Sequence, residues 1–279
     1  MKYVIAILML LILIVGCAPS GNAATSQPQT PVTVDNKSTQ VPPASTSTVQ
    51  QPTPQLPETE TQPVIPPKVL KITYMAHSCF LITSSDGLKV ITDPYNVIGY
   101  APVNESADIV TVSHEDWDHN NVAGVNGQPE IVRAPGITTI KGIEFKVIEA
   151  WHDTGKTKPN NIVCFTVDAV KFCFLGDLGS TLTPEQISAI GSVDILFVPV
   201  GGGGYTINAK KATEIYSALN PAIVIPMHYG TLKLGFSLDG IDDFIEGKSN
   251  VRKPNSSLLE ISKAELPAIT TIIVMDQAR

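Results

Sequence analysis

Asp108-Ile109-Val110-Thr111-Val112-Ser113-His114-Glu115-Asp116-Trp117-Asp118-His119-Asn120-Asn121 decides how this chain is read. Ile109 to Val112 is a short apolar run of the kind that forms a buried strand. It breaks at once into side chains suited to metal: His114, Asp116, Asp118 and His119, which include two of the chain's five histidines. In an extended segment residues i and i+2 point the same way, so His114 and Asp116 can grip one ion. Where the chain turns toward a helix, Asp118 and His119 swing toward a second. Imidazole with carboxylate suits zinc, iron or manganese better than calcium, which prefers an all-oxygen shell. The plain alternative, a solvated polar helix start, has to be weighed against the other histidines.

Those lie at matching places. Working outward, strands are expected at Val69–Tyr74, Cys79–Thr83 and from Lys89, with Ser85-Asp86-Gly87 as a hairpin turn. Further strands are expected at Ile143–Ile148, Ile162–Val167, Val170–Leu175, Asp194–Val200 and Ala222–Pro226, and closing ones near Ser257–Ile261 and Thr270–Met275. Thr183-Pro184-Glu185-Gln186 has the form of a capping box with proline at the first helical position. A second helix is expected over Asn208–Leu219, capped by Thr206 or Asn208, and a third near Leu238–Gly247. Each candidate ligand then stands just past the end of a strand: His114, His119, His152 and His228, with Asp118 and Asp177. Runs of strands with few helices between them fit two packed sheets covered by helices, an α/β architecture.

His114-x-Asp116-x-Asp118-His119 resembles the H-x-H-x-D-H signature of the metallo-β-lactamase superfamily, with Asp116 where a second histidine is usual. Tyr74–Phe80, Thr92–Tyr95, Trp151–Asp153, Leu175–Gly179, Pro199–Gly202 and Pro226–Tyr229 resemble one branch of it. That branch consists of metal-dependent hydrolases distantly similar to ascorbate-6-phosphate lactonases and N-acyl phosphatidylethanolamine phospholipase D. The resemblance implies a four-layer αββα sandwich and two divalent ions, zinc first, with manganese or iron open. It places His114, Asp116 and His152 on one ion, Asp118, His119 and His228 on the other, and Asp177 as the bridge. It implies hydrolysis of an ester, lactone, amide or phosphodiester of a small-molecule substrate by a hydroxide held between the ions. Asp118 and Asp177 would thus be catalytic as well as ligating. Asp93 is expected to accept an N–H from a ligand imidazole, or else to form an Asp-Pro turn. His77 either donates to an oxyanion or leaving group or is a core residue. Asp116 would make the ligand set more anionic and harder, shifting preference toward iron or manganese. Two other readings stay open: an iron-dependent oxidoreductase of the same superfamily, and a surface module whose metals are structural.

The rest of the sequence bounds location and partners. Net charge is −7, from 19 Lys and Arg against 26 Asp and Glu, and no basic cluster would track a phosphate backbone, so nucleic acid is not expected. Residues 1–17 read as a targeting segment: Lys2, an apolar run from Val4 to Val15, then Ile14-Val15-Gly16-Cys17, which is similar to a bacterial lipobox. This implies cleavage before Cys17, lipid attached to it, and a membrane-anchored, extracytoplasmic protein; an uncleaved anchor is the alternative. Residues 18–66 are dominated by Pro, Thr, Gln and Ser, lack aromatics, and read as an extended tether to a hydrolase domain over 67–279. Cys164 and Cys173 face each other if Asp168-Ala169 is the turn, as a disulfide or as free thiols, and Cys79 is read as buried and unreactive. The sequence leaves the substrate and the oligomeric state open.

Overall fold

The computed structural model describes residues 66–279, and what was expected of Cys17 and of residues 18–65 lies outside them. In chain order the strands are β1 (Val69–Ala76), β2 (Cys79–Thr83), β3 (Lys89–Thr92), β4 (Ile109–Thr111), β5 (Glu130–Val132), β6 (Gly136–Ile140), β7 (Ile143–Trp151), β8 (Pro159–Val167), β9 (Val170–Phe174), β10 (Ile195–Pro199), β11 (Ile223–Met227), β12 (Val251–Arg252), β13 (Leu258–Ser262) and β14 (Thr271–Ile273). The helices are α1 (Pro184–Ile190), α2 (Ala209–Leu219) and the single turn α3 (Asp242–Ile245). One sheet runs β13-β1-β2-β3-β4-β5, and the other β12-β14-β11-β10-β9-β8-β7-β6. Both are mixed. The first is antiparallel through β3 and parallel from β3 to β5; the second is antiparallel from β6 to β9 and parallel from there on.

Side-chain alternation explains the layers. Tyr74, Phe80, Ile82, Val90 and Ile109 face the second sheet, while Met75, Cys79, Leu81, Ile91 and Val110 face outward into a second apolar cluster. A row of rings runs through the layer between the sheets: Tyr74 on Phe80 (4.5 Å), Phe80 on Phe197 (4.3 Å), Phe197 on Phe172 (6.1 Å) and Phe172 on Phe165 (5.1 Å). β10 and β11 are buried along their whole length, as parallel strands covered on both faces must be. The helices cover the second sheet. Over the first, Tyr95, Val97, Tyr100 and Val103 from a long loop do so instead, with a 3-10 turn at Val122–Gly124.

Local chemistry sets the element ends. At α1 the Gln186 amide donates to Thr183 Oγ1 (3.2 Å) and the Thr183 amide donates to Gln186 Oε1 (3.0 Å), so the expected box is present. Asn208, not Thr206, caps α2 by accepting from the Lys211 amide. Asp168 and Ala169 both take positive φ (49° and 64°), a two-residue hairpin that sets Cys164 directly opposite Cys173. Both remain free thiols, as does buried Cys79. The helix expected near Leu238–Gly247 shrinks to α3, whose Phe244 packs edge-on against Tyr216.

Candidate metal centre

The strand ends bring the candidate ligands together from both sheets. His77 follows β1, Asp93 follows β3 and the His114–His119 stretch follows β4; His152, Asp177 and His228 follow β7, β9 and β11. A register shift between Tyr74 and Ala76 re-aims the chain just before His77. His77, Asp93 and His228 all hold positive φ (57°, 33° and 50°), a conformation that persists only where surroundings over-determine it. Here they do: the His77 carbonyl accepts from Tyr74 Oη (2.8 Å) and from the His228 amide (3.0 Å).

The centre of the cluster is Asp177. Its Oδ2 lies 3.0 Å from His228 Nε2, 3.1 Å from His119 Nε2 and 3.6 Å from His152 Nε2. Buried Asn160 holds this loop, accepting from the Asp177 amide and donating to the Leu175 carbonyl, both at 2.9 Å. Gly176 and Gly179 explain the Gly-Asp-Leu-Gly spacing. A Cβ on Gly176 would sit 2.4 Å from Asn160 Oδ1, and one on Gly179 would sit 1.9 Å from the His152 carbonyl oxygen.

Asp93 fixes the imidazoles opposite. Its carboxylate accepts from the Ser113 amide (2.8 Å), from Ser113 Oγ (2.5 Å) and from His119 Nδ1 (2.8 Å). With its proton given to Asp93, Ser113 Oγ accepts from His114 Nδ1 at 2.9 Å. Both rings therefore carry the Nδ1 proton and turn Nε2 to the cluster, the atom a cation would take in place of a proton. Ser113 and Asn160 carried no sequence signal beyond polarity beside an apolar run. The Asn161 amide, which donates to the Ser113 carbonyl at 2.8 Å, ties the two sheets together here.

Charge and burial pull against each other. Burial pushes His77 down to about 3 and His114 down to about 4, so both are neutral at physiological pH. Burial would raise Asp118, but the hydrogen bond from His77 and the neighbouring rings outweigh it and hold the carboxyl at about 2. Burial likewise opposes the charged forms of Asp177 and His119, and their mutual attraction wins, lowering the first and raising the second. The nearby Asp177 carboxylate raises His152.

The donor set fits a divalent cation. His114 Nε2, His119 Nε2, His228 Nε2 and Asp177 Oδ1 are buried without a hydrogen-bond partner among the described residues. Orphaning such atoms costs about 1–3 kcal/mol each, and a cation supplies what they lack. Two groups have donors mutually within 4.8 Å: His77, Asp118, His119 and His228 in one, and His114, His152 and Asp177 in the other. A third such group joins Asp93 to His114 and His119, but Asp93 is already occupied by its three donors. Asp116 belongs to no group: its side chain is 46% exposed, with Oδ2 3.6 Å from His114 Nε2. A cavity of about 500 Å³ opens beside His114 and Asp116, lined also by Arg133, Thr157, Lys158 and Asn161. On the His77 side Phe236 stands edge-on to the ring (5.9 Å), flanked by Tyr205 (5.5 Å) and Trp117 (6.4 Å). In the Gly201–Gly204 loop the amides of Gly202, Tyr205 and Thr206 bond to carbonyls of the loop and its flank, so they are not free to cradle an anion.

Two mixed sheets with a histidine–aspartate cluster at the strand ends define a known class. Residues 71–228 match the model of the beta-lactamase superfamily domain, and the chain belongs to the metallo-β-lactamase superfamily. Within it the chain is similar to the UPF0173 metal-dependent hydrolases, and it is a metal-dependent hydrolase. It is 28% identical over 182 residues to a UPF0173 protein of Pyrococcus abyssi, spanning 58% of this chain and 84% of that one. With a UPF0173 metal-dependent hydrolase of Pelotomaculum thermopropionicum it shares 27% over 201 residues, spanning 59% and 86%. A Thermotoga maritima structure, assigned as a Zn-dependent hydrolase of the superfamily, is 37% identical with a TM-score of 0.65, covering 74% of this chain and 98% of that one.

Asp93→Asn removes the charge that fixes the His119 and His114 tautomers. Metal affinity should fall about 10–100-fold, as on loss of an outer partner of a ligand. Competition with a chromophoric chelator measures this; unchanged affinity would make Asp93 only a turn residue.

Proposed function

We propose that the chain binds two divalent ions and hydrolyses an ester, lactone, amide or phosphodiester in a small molecule. One observation carries this: a single buried Asp177 oxygen faces imidazole nitrogens from both halves of the donor cluster. In this reading His119, His228 and Asp118 hold one ion, His114 and His152 the other, and Asp177 reaches both. Bound ions would supply a water of lowered pKa and polarise the scissile carbonyl or phosphoryl group.

The chain's own residues do the rest. Asp93 and Ser113 hold His119 and His114 in the tautomer that leaves Nε2 free. Burial keeps His114 unprotonated, so no proton competes for its lone pair near neutral pH. The cavity beside His114 admits substrate to the cluster, and Arg133 and Lys158 in its wall offer positive charge to an anionic substituent. His77 Nε2 faces Asp118 at 3.3 Å, so in this reading it stands among the donors and not over a leaving group.

We also infer that residues 1–17 direct export and that Cys17 carries the lipid anchor. The support is the positive Lys2, the apolar run and the Val15-Gly16-Cys17 junction, with the proline-rich stretch as tether.

Zinc-loaded protein should hydrolyse at least one member of a panel of p-nitrophenyl esters, lactones and bis-phosphodiesters, and lose that activity on chelation. Asp177→Asn should lower turnover at least ~100-fold, a loss typical of a central catalytic contact. Hydrolysis by metal-free protein, or near-wild-type turnover in Asp177→Asn, contradicts the proposal; oxygen consumption by an iron-loaded form without hydrolysis would favour the oxidoreductase. Cys17→Ser should leave the protein unlipidated and shift it from the membrane fraction. A diacylglyceryl mass still on that variant would sink the anchor.

A further inference from the structure

We propose that the two ions are held unequally: His77 is an additional ligand of a tightly held inner ion, while the ion beside His114 is exchangeable. The inference rests on the two-ion reading above and is decided by different measurements.

The donor groups differ in number and in setting. His77, Asp118, His119 and His228 each place one donor within 4.8 Å of the other three. Three imidazoles and a carboxylate already complete a four-coordinate shell of the kind that closed zinc sites use. The side chains of His77 and His119 are wholly inaccessible. The second group offers only His114, His152 and Asp177. Asp116, which stands where the superfamily signature has a further histidine, joins neither group among the described residues; its side chain is 46% exposed, with Oδ2 3.6 Å from His114 Nε2. This poorer group adjoins the cavity, since His114 lines it. An ion there has fewer protein donors and an open side, so solvent and competing ligands reach it first.

Two features of His77 point to ligation. Its ring is held 4.1 Å from that of His228 and 5.0 Å from that of His119, centroid to centroid, which crowds three imidazoles in a site with no solvent access. Its one side-chain partner is a member of the same donor group, the Asp118 carboxylate 3.3 Å from Nε2, while Nδ1 has no partner among the described residues, so no other polar group holds the ring. Nε2, beside Asp118 Oδ2, is the atom that converges with the other donors. Nitrogen-rich donor sets favour zinc over manganese, so the inner position should retain zinc when both metals are offered.

The test loads full-length protein with zinc and removes it with increasing chelator, reading bound zinc by mass spectrometry. Two separate steps are expected, the outer ion leaving at a chelator concentration at least tenfold lower. X-ray absorption on the singly loaded wild type should count three imidazoles around the retained ion. Asp116→Ala should leave the inner step in place. His77→Asn, chosen because asparagine tolerates positive φ, should weaken that step by more than the ~10–100-fold that loss of an outer partner costs. Its singly cobalt-loaded form should show altered visible bands. Release of both ions in one step, two imidazoles around the retained ion, or an inner step unmoved in His77→Asn would overturn the inference and leave metal-dependent hydrolysis standing. If His77→Asn does not fold, the imidazole count on wild type decides. Protein that binds no zinc at all would overturn the two-ion reading along with it.

Discussion

A carboxylate with almost no solvent access and several imidazoles around it is the constraint on which this structure turns. Burying an ionised Asp177 costs several kcal/mol unless opposite charge and hydrogen bonds compensate. The protein sets three imidazole nitrogens around one carboxylate oxygen. The other carboxylate oxygen has no partner among the described residues. Divalent cations resolve this imbalance more completely than protons on histidines can, because each ion satisfies several lone pairs at once. The cost of the site without metal is thus the source of its affinity for metal.

Everything that positions Asp177 follows from where strands end. β9, β10 and β11 lie parallel and side by side, so the loops after β9 and β11 emerge at one edge of the second sheet. β3 and β4 are parallel in the first sheet and deliver Asp93 and the His114–His119 stretch. The aromatic row between the sheets fixes their separation, and the Asn161–Ser113 bond ties them at the site. Small errors in that packing would move donors that must converge within a few ångströms, which gives a reason for strain at His77, Asp93 and His228.

Much of this was legible in the sequence, where local chemistry decides. Alternation in Val69–Tyr74 and Ile143–Ile148 gave strands, the Thr183 box gave a helix start, and Asp168-Ala169 gave a register that sets Cys164 against Cys173. β5 and β12, of three and two residues, are too short to carry a period, and β6 is an almost wholly exposed edge strand that burial does not mark. Long-range pairings were the blind spot. Asn160 matters because of what β9 brings to it, and Ser113 because Asp93 lies on the neighbouring strand. His77 reads as a spare histidine until the fold sets it against His228. Asp116 follows the i, i+2 rule in part: its Oδ2 lies 3.6 Å from His114 Nε2, but the chain turns within the motif, where the His119 and Asn120 amides both donate to the Asp116 carbonyl, and its side chain is 46% exposed.

Anomalous diffraction from crystals of zinc-loaded protein, recorded on both sides of the zinc edge, tests the central claim most directly. The account predicts zinc peaks among the Nε2 atoms of His114, His119, His152 and His228, with Asp177 between them. Absence of zinc from this cluster in protein that binds the metal stoichiometrically, or a peak confined to surface carboxylates, would contradict it.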